Sequence, residues 1–201
     1  MDTQDSSFHL IASHKQLWVL LLANLLVSVG AYMMIPDMLE YTQRLGFSNV
    51  EKAVMTGAYL LGIFVFGPFV NYLVERYRRK NICLLALLLL AVSIIEISYI
   101  RATPMAANIL LMALLRFVSG AFFGLAQMVL LSTLVIDSVP SAFRTEANCL
   151  ANWFGCISMA VGPMAALYAI LHKGASWPLT LSVALVLLAF ILICTVKFPF
   201  K

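Results

Sequence analysis

Several ionisable residues lie within the long apolar runs of this chain, and two of them, Arg116 and Asp37, are candidates for ion pairing and proton exchange. Arg116 interrupts the run from Met105 to Leu134, and Asp37 follows Pro36 near the end of the run from Leu17 to Tyr41. A charged side chain inside hydrocarbon costs about 2.5–3.5 kcal/mol on insertion scales, so such residues are rare and face water or an opposite charge. The two positions therefore predict a functional site inside a membrane protein.

Arg116 is expected close to the middle of the membrane. Counted from Met105 at about 1.5 Å per residue, it lies about 16 Å into a hydrocarbon core that is about 30 Å thick. We expect its guanidinium to face a watery cavity or an acidic partner. The alternative is a structural arginine whose guanidinium donates hydrogen bonds to helix carbonyls.

Asp37 is the candidate for the group that takes up a proton. A carboxylate in a half-dry cavity can exchange a proton for a substrate, because burial and a nearby cation act on its proton affinity in opposite directions. The alternative is an interfacial carboxylate that is solvated just beyond the last apolar turn.

The elements that must position these charges are long apolar helices. The chain of 201 residues is 63% hydrophobic and 11% charged, whereas soluble domains are about 45–50% apolar. A helix needs about 20 apolar residues to cross the hydrocarbon core. The sequence predicts an all-α polytopic membrane protein with an amino-terminal segment at 1–16 and a six-helix bundle at 17–201, with spans at about 17–41, 53–74, 82–100, 105–134, 147–171 and 177–196.

Basic residues favour one orientation of this bundle. The loop from Leu73 to Lys80, between the second and third spans, is the short loop richest in arginine and lysine. Because cytoplasmic loops carry an excess of these residues, we expect this loop and both termini in the cytoplasm, as an even number of spans requires. We expect a multi-pass protein of a cell membrane, namely a bacterial inner membrane.

Other classes of protein are excluded by what the remaining residues lack. The four cysteines lie in or at the ends of spans without metal-ligand spacing, and no nucleophile–base pair or phosphate loop appears. We therefore expect neither an enzyme nor a bound cofactor or metal. The formal net charge of +4 comes from basic residues at membrane edges, where lipid phosphates explain them, so nucleic-acid binding is also excluded.

The two halves of the bundle predict an internal repeat. Gly67-Pro68 lies late in the second span and Gly162-Pro163 lies late in the fifth, each in the middle helix of its triplet. The two helices run in opposite directions, as two inverted three-helix repeats require. The alternative is a pair of unrelated kinks, because glycine and proline are frequent in membrane helices.

The basic loop resembles a known transporter signature. The residues from Asn71 to Lys80 follow the pattern Gly-x-Leu-Ala-Asp-Arg-x-Gly-Arg-Arg/Lys. Asn71 and Arg78 replace its two glycines and Glu75 replaces its aspartate, so the tight turn that glycine permits is expected to be looser here. The pattern of charges is kept.

Further motifs in the other spans resemble the same family. Residues 30–37 and 45–48 are similar to its first helix and outer loop, and residues 116–124 match its Arg-x-x-x-Gly motif in the fourth helix. Residues 155–166 resemble the Gly-Pro motif of its proton-driven exporters, with alanines in place of some glycines. The chain thus resembles the amino-terminal half of a major facilitator superfamily transporter.

The resemblance implies two sets of charged site residues. A charge relay that holds the outward-open form would consist of Glu75, Arg79 and Asp137, with Arg76 in the same loop. The alternative is that this loop only anchors the topology. Arg116 would line the cavity and take part in proton coupling, the function for which Asp37 is a candidate on the chemistry given above.

Polar and small residues complete the predicted site. Four polar side chains on helices one, four and five are candidates to contact substrate, with helix packing as the alternative; these are Asn24, Tyr32, Gln127 and Asn152. Close helix packing is expected at Gly120, Gly124, Gly162 and Pro163.

These observations predict a secondary active transporter that exports a small organic molecule by alternating access, coupled to protons. The expected partners are membrane lipids, the substrate, protons, and a carboxy-terminal half or a second copy, because the family holds its substrate between two such halves. The alternative is a non-transporting half-length membrane protein, either a truncated relic or an assembly partner.

Overall fold

The computed structural model describes residues 15–196, apart from the side chains at 71, 74, 106, 107 and 132. Within this range six helices are long and apolar enough to cross a membrane, which confirms the all-α six-span prediction. The predicted segment 1–16 lies outside the described residues except for its last two positions. The helices are α1 Lys15–Arg44, α2 Asn49–Arg76, α3 Arg79–Arg101, α4 Ile109–Asp137, α5 Arg144–Lys173 and α6 Trp177–Thr195.

Following the predicted topology, we call the side of the α1–α2, α3–α4 and α5–α6 loops the outer face. The opposite side, with the α2–α3 and α4–α5 loops, is the inner face.

Helix α2 begins before its apolar span because polar residues cap it. The Ser48 hydroxyl accepts a hydrogen bond from the Glu51 amide, and the Glu51 carboxylate accepts one from the Ser48 amide at 2.7 Å. This capping box satisfies two amide donors that the first turn of a helix leaves free. The helix therefore begins at Asn49, ahead of the apolar span predicted from residue 53.

Helix α4 begins later than predicted. Residues Pro104–Ala107 form a separate 3₁₀ turn, and the Asn108 side chain caps α4 by accepting hydrogen bonds from the amides of Leu110 and Leu111. Arg116 is thus seven residues into the helix, about 10 Å from its start and not about 16 Å. It therefore lies in the outer third of α4, nearer to the outer end of the helix than the count from Met105 predicted.

The packing of the six helices follows the predicted inverted repeat. Helix α2 packs chiefly on α4, α1 packs on α5 and α6, and α3 packs on α4 and α6. The packed pairs stay the same when each helix of the first triplet is exchanged with its counterpart in the second, that is, α1 with α4, α2 with α5 and α3 with α6. Two unrelated kinked helices would not produce this pattern, whereas an inverted repeat requires it.

Glycines allow the closest of these contacts. A Cβ atom on Gly62 of α2 would lie 2.1 Å from the Phe117 carbonyl oxygen, and one on Gly120 of α4 would lie 2.1 Å from that of Tyr59. On α5, a Cβ atom on Gly162 would lie 2.8 Å from Cβ of Tyr32. Small residues let membrane helices approach in this way, so that their backbones touch.

The contact between α2 and α4 is therefore expected to be intolerant of a single methyl group. We predict that Gly62→Ala lowers the free energy of unfolding by about 1–3 kcal/mol, because the added carbon overlaps the backbone of α4. The measurement is equilibrium unfolding in mixed micelles. Gly57→Ala is the matched control on the same helix, where an added Cβ meets nothing within 4 Å; equal losses in the two variants would contradict this account.

Candidate functional site

Asp37 and Arg101 form an ion pair inside the bundle near the outer face. Asp37 lies seven residues before the end of α1, and Arg101 is the last residue of α3. One guanidinium nitrogen of Arg101 lies 2.5 Å from Oδ2 of Asp37, and the two side chains are 9% and 2% exposed. Asp37 is therefore buried and paired, which excludes the alternative of an interfacial, solvated carboxylate.

Tyr41, one turn after Asp37, holds the same arginine in two ways. The Arg101 guanidinium lies 3.9 Å above the Tyr41 ring, a cation–π geometry. The Tyr41 hydroxyl donates a hydrogen bond to the Arg101 carbonyl oxygen at 3.3 Å. The end of α1 is thus fastened to the end of α3 by a charge pair and an aromatic ring.

Arg116 is buried in the same part of the bundle, at 1% exposure. Its guanidinium carbon lies 4.4 Å above the ring of Tyr59 on α2. Among the described residues, Nε and Nη1 of Arg116 and the Tyr59 hydroxyl have no hydrogen-bond partner. We expected this guanidinium to face a watery cavity, but here it is enclosed by helix packing. The alternative of an arginine bonded through these two nitrogens to helix carbonyls is not observed either.

Asp37, Arg101 and Arg116 together form what we call the outer charge cluster. In the described part of the chain the ion pair of Asp37 is with Arg101, and Arg116 acts on Asp37 only through its charge. Glu40, the next acid on α1, is instead paired with Arg44 at the surface. The cluster thus holds two guanidiniums and one carboxylate, so one positive charge is left without a counter-ion in an apolar bundle.

At the inner face, the structure brings together two of the three predicted relay residues. Arg79, the first residue of α3, forms an ion pair with Asp137 at the end of α4. Glu75 is exposed, and no hydrogen bond or ion pair joins it to either residue in the described part of the chain. The expectation that Glu75 belongs to this relay is therefore not met. Arg76 donates to the Tyr72 hydroxyl at 2.8 Å.

Lys80 has a role that sequence analysis missed. Its Nζ donates hydrogen bonds to the carbonyl oxygens of Cys194 and Val196, at 2.9 and 2.7 Å. These carbonyls lie at the end of α6, where the last turn leaves acceptors free and the helix dipole favours a cation. The basic loop therefore ties the start of α3 to both α4 and α6.

The four predicted substrate contacts occupy different environments. Asn24 is buried and donates a hydrogen bond to the Ala151 carbonyl at 3.2 Å, so its amide joins α1 to α5. Tyr32 is half-buried, with its ring edge-to-face against Phe123 and Gln127 beside its hydroxyl. Asn152 is exposed on α5. Only Tyr32 and Gln127 are brought together.

The whole bundle matches one protein family. Residues 20–199 match the model of the Major Facilitator Superfamily. The chain belongs to this superfamily. No curated protein matches the chain. Proteins of the Major Facilitator Superfamily are membrane transporters, and six spans correspond to a half-length domain of that fold.

Membership in the Major Facilitator Superfamily gives the buried charges a context. Ionisable residues inside membrane spans are costly in hydrocarbon, so in a transporter they are candidates for a substrate or proton pathway. Sequence analysis does not single out Arg101, because it follows the span predicted at 82–100 directly, and an arginine there is typical of a membrane edge. The available signal was depth, since Asp37 and Arg101 both lie near the outer ends of their spans.

Loss of the buried Asp37–Arg101 pair is expected to destabilise the fold far more than loss of the exposed Glu40–Arg44 pair. We predict that Arg101→Gln lowers the free energy of unfolding by about 3–5 kcal/mol, because it leaves the Asp37 carboxylate buried without its partner. Adding Asp37→Asn should recover much of this loss.

Arg44→Gln is the matched control, because it removes the exposed partner of Glu40 and should cost about 0.3–0.5 kcal/mol. A double-mutant cycle measured by equilibrium unfolding in mixed micelles tests both values. Additive effects of Arg101→Gln and Asp37→Asn would contradict a direct pair.

Proposed function

We propose that the chain is the amino-terminal half of a proton-coupled exporter of small organic molecules that works by alternating access. The observation that supports this most strongly is the outer charge cluster, in which a single buried carboxylate lies in contact with one guanidinium and near a second. Such a carboxylate can bind either a proton or a guanidinium. Exchange of one for the other can couple proton movement to a change of conformation.

In this mechanism Asp37 is the proton carrier and Arg101 competes with the proton. When Asp37 is ionised, its pair with Arg101 fastens the outer end of α1 to α3. When Asp37 takes up a proton, that attraction is lost and the end of α1 is released. Pro36 immediately precedes Asp37 and lacks an amide hydrogen, so the helix is weakest at the point where such a movement would begin.

At the inner face, Arg79 and Asp137 act as the opposing latch. Their side chains are 45% and 36% exposed, and an exposed pair contributes about 0–1 kcal/mol. A small contribution is sufficient if the inward-open and outward-open forms have nearly equal free energies.

A second bundle completes the transporter in this proposal. The family fold holds its substrate between two six-helix halves, and α2 and α5 are among the least buried helices here. A carboxy-terminal half or a second copy would cover part of their apolar surface, and membrane lipids would cover the rest. In this proposal the protein lies in a cell membrane, namely a bacterial inner membrane, with both termini in the cytoplasm.

We predict that Asp37→Asn abolishes proton coupling. In vesicles that contain a pH-sensitive dye, three probes of different charge are added: ethidium, an amphipathic cation; chloramphenicol, a neutral amphipathic molecule; and benzoate, an aromatic anion. With the unaltered chain, at least one of them should drive proton movement above the level of protein-free vesicles. Asp37→Asn should reduce that movement to the level of protein-free vesicles, because an amide cannot carry the proton. Glu40→Gln is the control, since it alters the surface acid one turn away.

Coupling that persists in Asp37→Asn would remove Asp37 from the mechanism. Proton movement that is absent with every probe, in a chain that is correctly inserted, would favour the non-transporting alternative.

We also predict that Asp137→Asn shifts the balance between the inward-open and outward-open forms, because it removes the inner ion pair. The measurement uses a chain without its native cysteines that carries Leu134→Cys near the inner face or Met38→Cys near the outer face, both positions being buried. Asp137→Asn should raise labelling at one position and lower it at the other. Glu75→Gln is the control and should change neither; equal labelling in both variants would reduce the relay to a topology signal.

A further inference from the structure

Arg116 has hydrogen-bond donors that nothing in the described structure uses. Its Nε and Nη1 atoms and the Tyr59 hydroxyl are all buried without partners. Most buried polar groups in proteins are hydrogen-bonded, and an unpaired group in this position calls for an explanation such as a missing ligand. The three unused groups lie close together, since the guanidinium carbon is 4.4 Å from the centre of the Tyr59 ring.

The charges around Arg116 are also unbalanced. Asp37 is the buried acid that acts on Arg116, and its Oδ2 atom already binds Arg101. Glu40 is paired with Arg44 at the surface and supplies no charge to the interior. A buried guanidinium with free donors and no carboxylate of its own is a site for an anion.

Aromatic rings extend from this charged group. The Tyr59 ring stacks on Phe123, with centroids 6.1 Å apart and planes inclined by 18°. Phe123 in turn contacts the edge of Tyr32, which is half-buried, at 6.0 Å. The side chains next to Arg116 on α2 and α4 are thus aromatic, and they suit a ligand with an aromatic ring better than a flexible polar ligand.

We propose that Arg116 and Tyr59 bind the carboxylate of the transported molecule, and that the substrate is a small aromatic carboxylate. This inference rests on the proposed transport function and specifies its substrate class. The guanidinium is closed over by the Tyr59 ring in this conformation, so the ligand reaches it only in a form in which Tyr59 and Arg116 have moved apart. The carboxylate then supplies the counter-ion that the outer charge cluster lacks.

The test is equilibrium binding of three probes that share one ring, measured with the full-length chain in lipid nanodiscs. Benzoate is an anion, benzylamine is a cation and benzyl alcohol is neutral. We expect radiolabelled benzoate to bind saturably, and excess benzylamine or benzyl alcohol to leave its binding unchanged. Equal binding of the three probes, or no saturable benzoate binding, would overturn the proposal.

Three variants test the residues. Arg116→Gln should weaken benzoate binding by roughly tenfold or more, because it removes the charged donor, and Arg116→Lys should weaken it less because the charge is kept. Tyr59→Phe removes only the unpaired hydroxyl, so it remains informative if Arg116→Gln fails to fold. Arg144→Gln alters an exposed arginine at the start of α5 and is the control. Benzoate binding that is unchanged in Tyr59→Phe and in any folded Arg116 variant would overturn the proposal.

The two proposals fail in different ways. Benzoate binding that depends on Arg116 without coupled proton movement would contradict the transport mechanism and support the anion site. Proton movement driven by ethidium or chloramphenicol in a chain that does not bind benzoate would contradict the anion site alone.

Discussion

The rest of the account depends on one constraint, which is that a charge inside an apolar bundle must find a partner. Asp37 and Arg101 satisfy each other across α1 and α3, whereas Arg116 lies under the Tyr59 ring with donors unused. A resting structure that keeps an unrelieved charge is high in free energy relative to a form in which an anion or water reaches that charge. The difference in free energy between those two forms can help to drive a transport cycle.

Close contact between backbones makes such a cluster possible. Gly62 and Gly120 let α2 and α4 touch, which brings Tyr59 over Arg116, and Gly162 does the same for α5 and α1 beside Tyr32. The two contacts are equivalent under the exchange of the two three-helix units. At the inner face, by contrast, the exposed Arg79–Asp137 pair and the Lys80 cap join the helix ends. The outer interior is therefore held by packing and buried charge, and the inner face by groups in contact with water.

Sequence analysis predicted the features that depend on local composition. Six apolar runs predicted six helices, and the motif glycine Gly120 lies at a helix contact. Depth alone left the partner of Asp37 open, because Arg101 is 64 residues away and only the complete fold brings the outer ends of α1 and α3 together. The count to Arg116 began too early because the 3₁₀ turn at Pro104–Ala107 is apolar and looks like the start of a span. Asn24 has a polar side chain that could contact a ligand, but its amide bonds to α5 instead. Sequence alone cannot distinguish these two uses of a polar residue.

The central claim is that the region around Arg116 alternates between dry and open forms. Ser119 tests it most directly, because it lies one turn from Arg116 on α4, is fully buried, and bonds to the Arg116 carbonyl at 2.9 Å. In a chain whose other cysteines are removed, Ser119→Cys can be exposed in vesicles to a small, membrane-impermeant thiol reagent with and without an imposed pH gradient. The account predicts slow modification at rest and a faster rate with the gradient. A thiol that stays unreactive under both conditions would show that Arg116 is held permanently in dry packing, and would contradict the account.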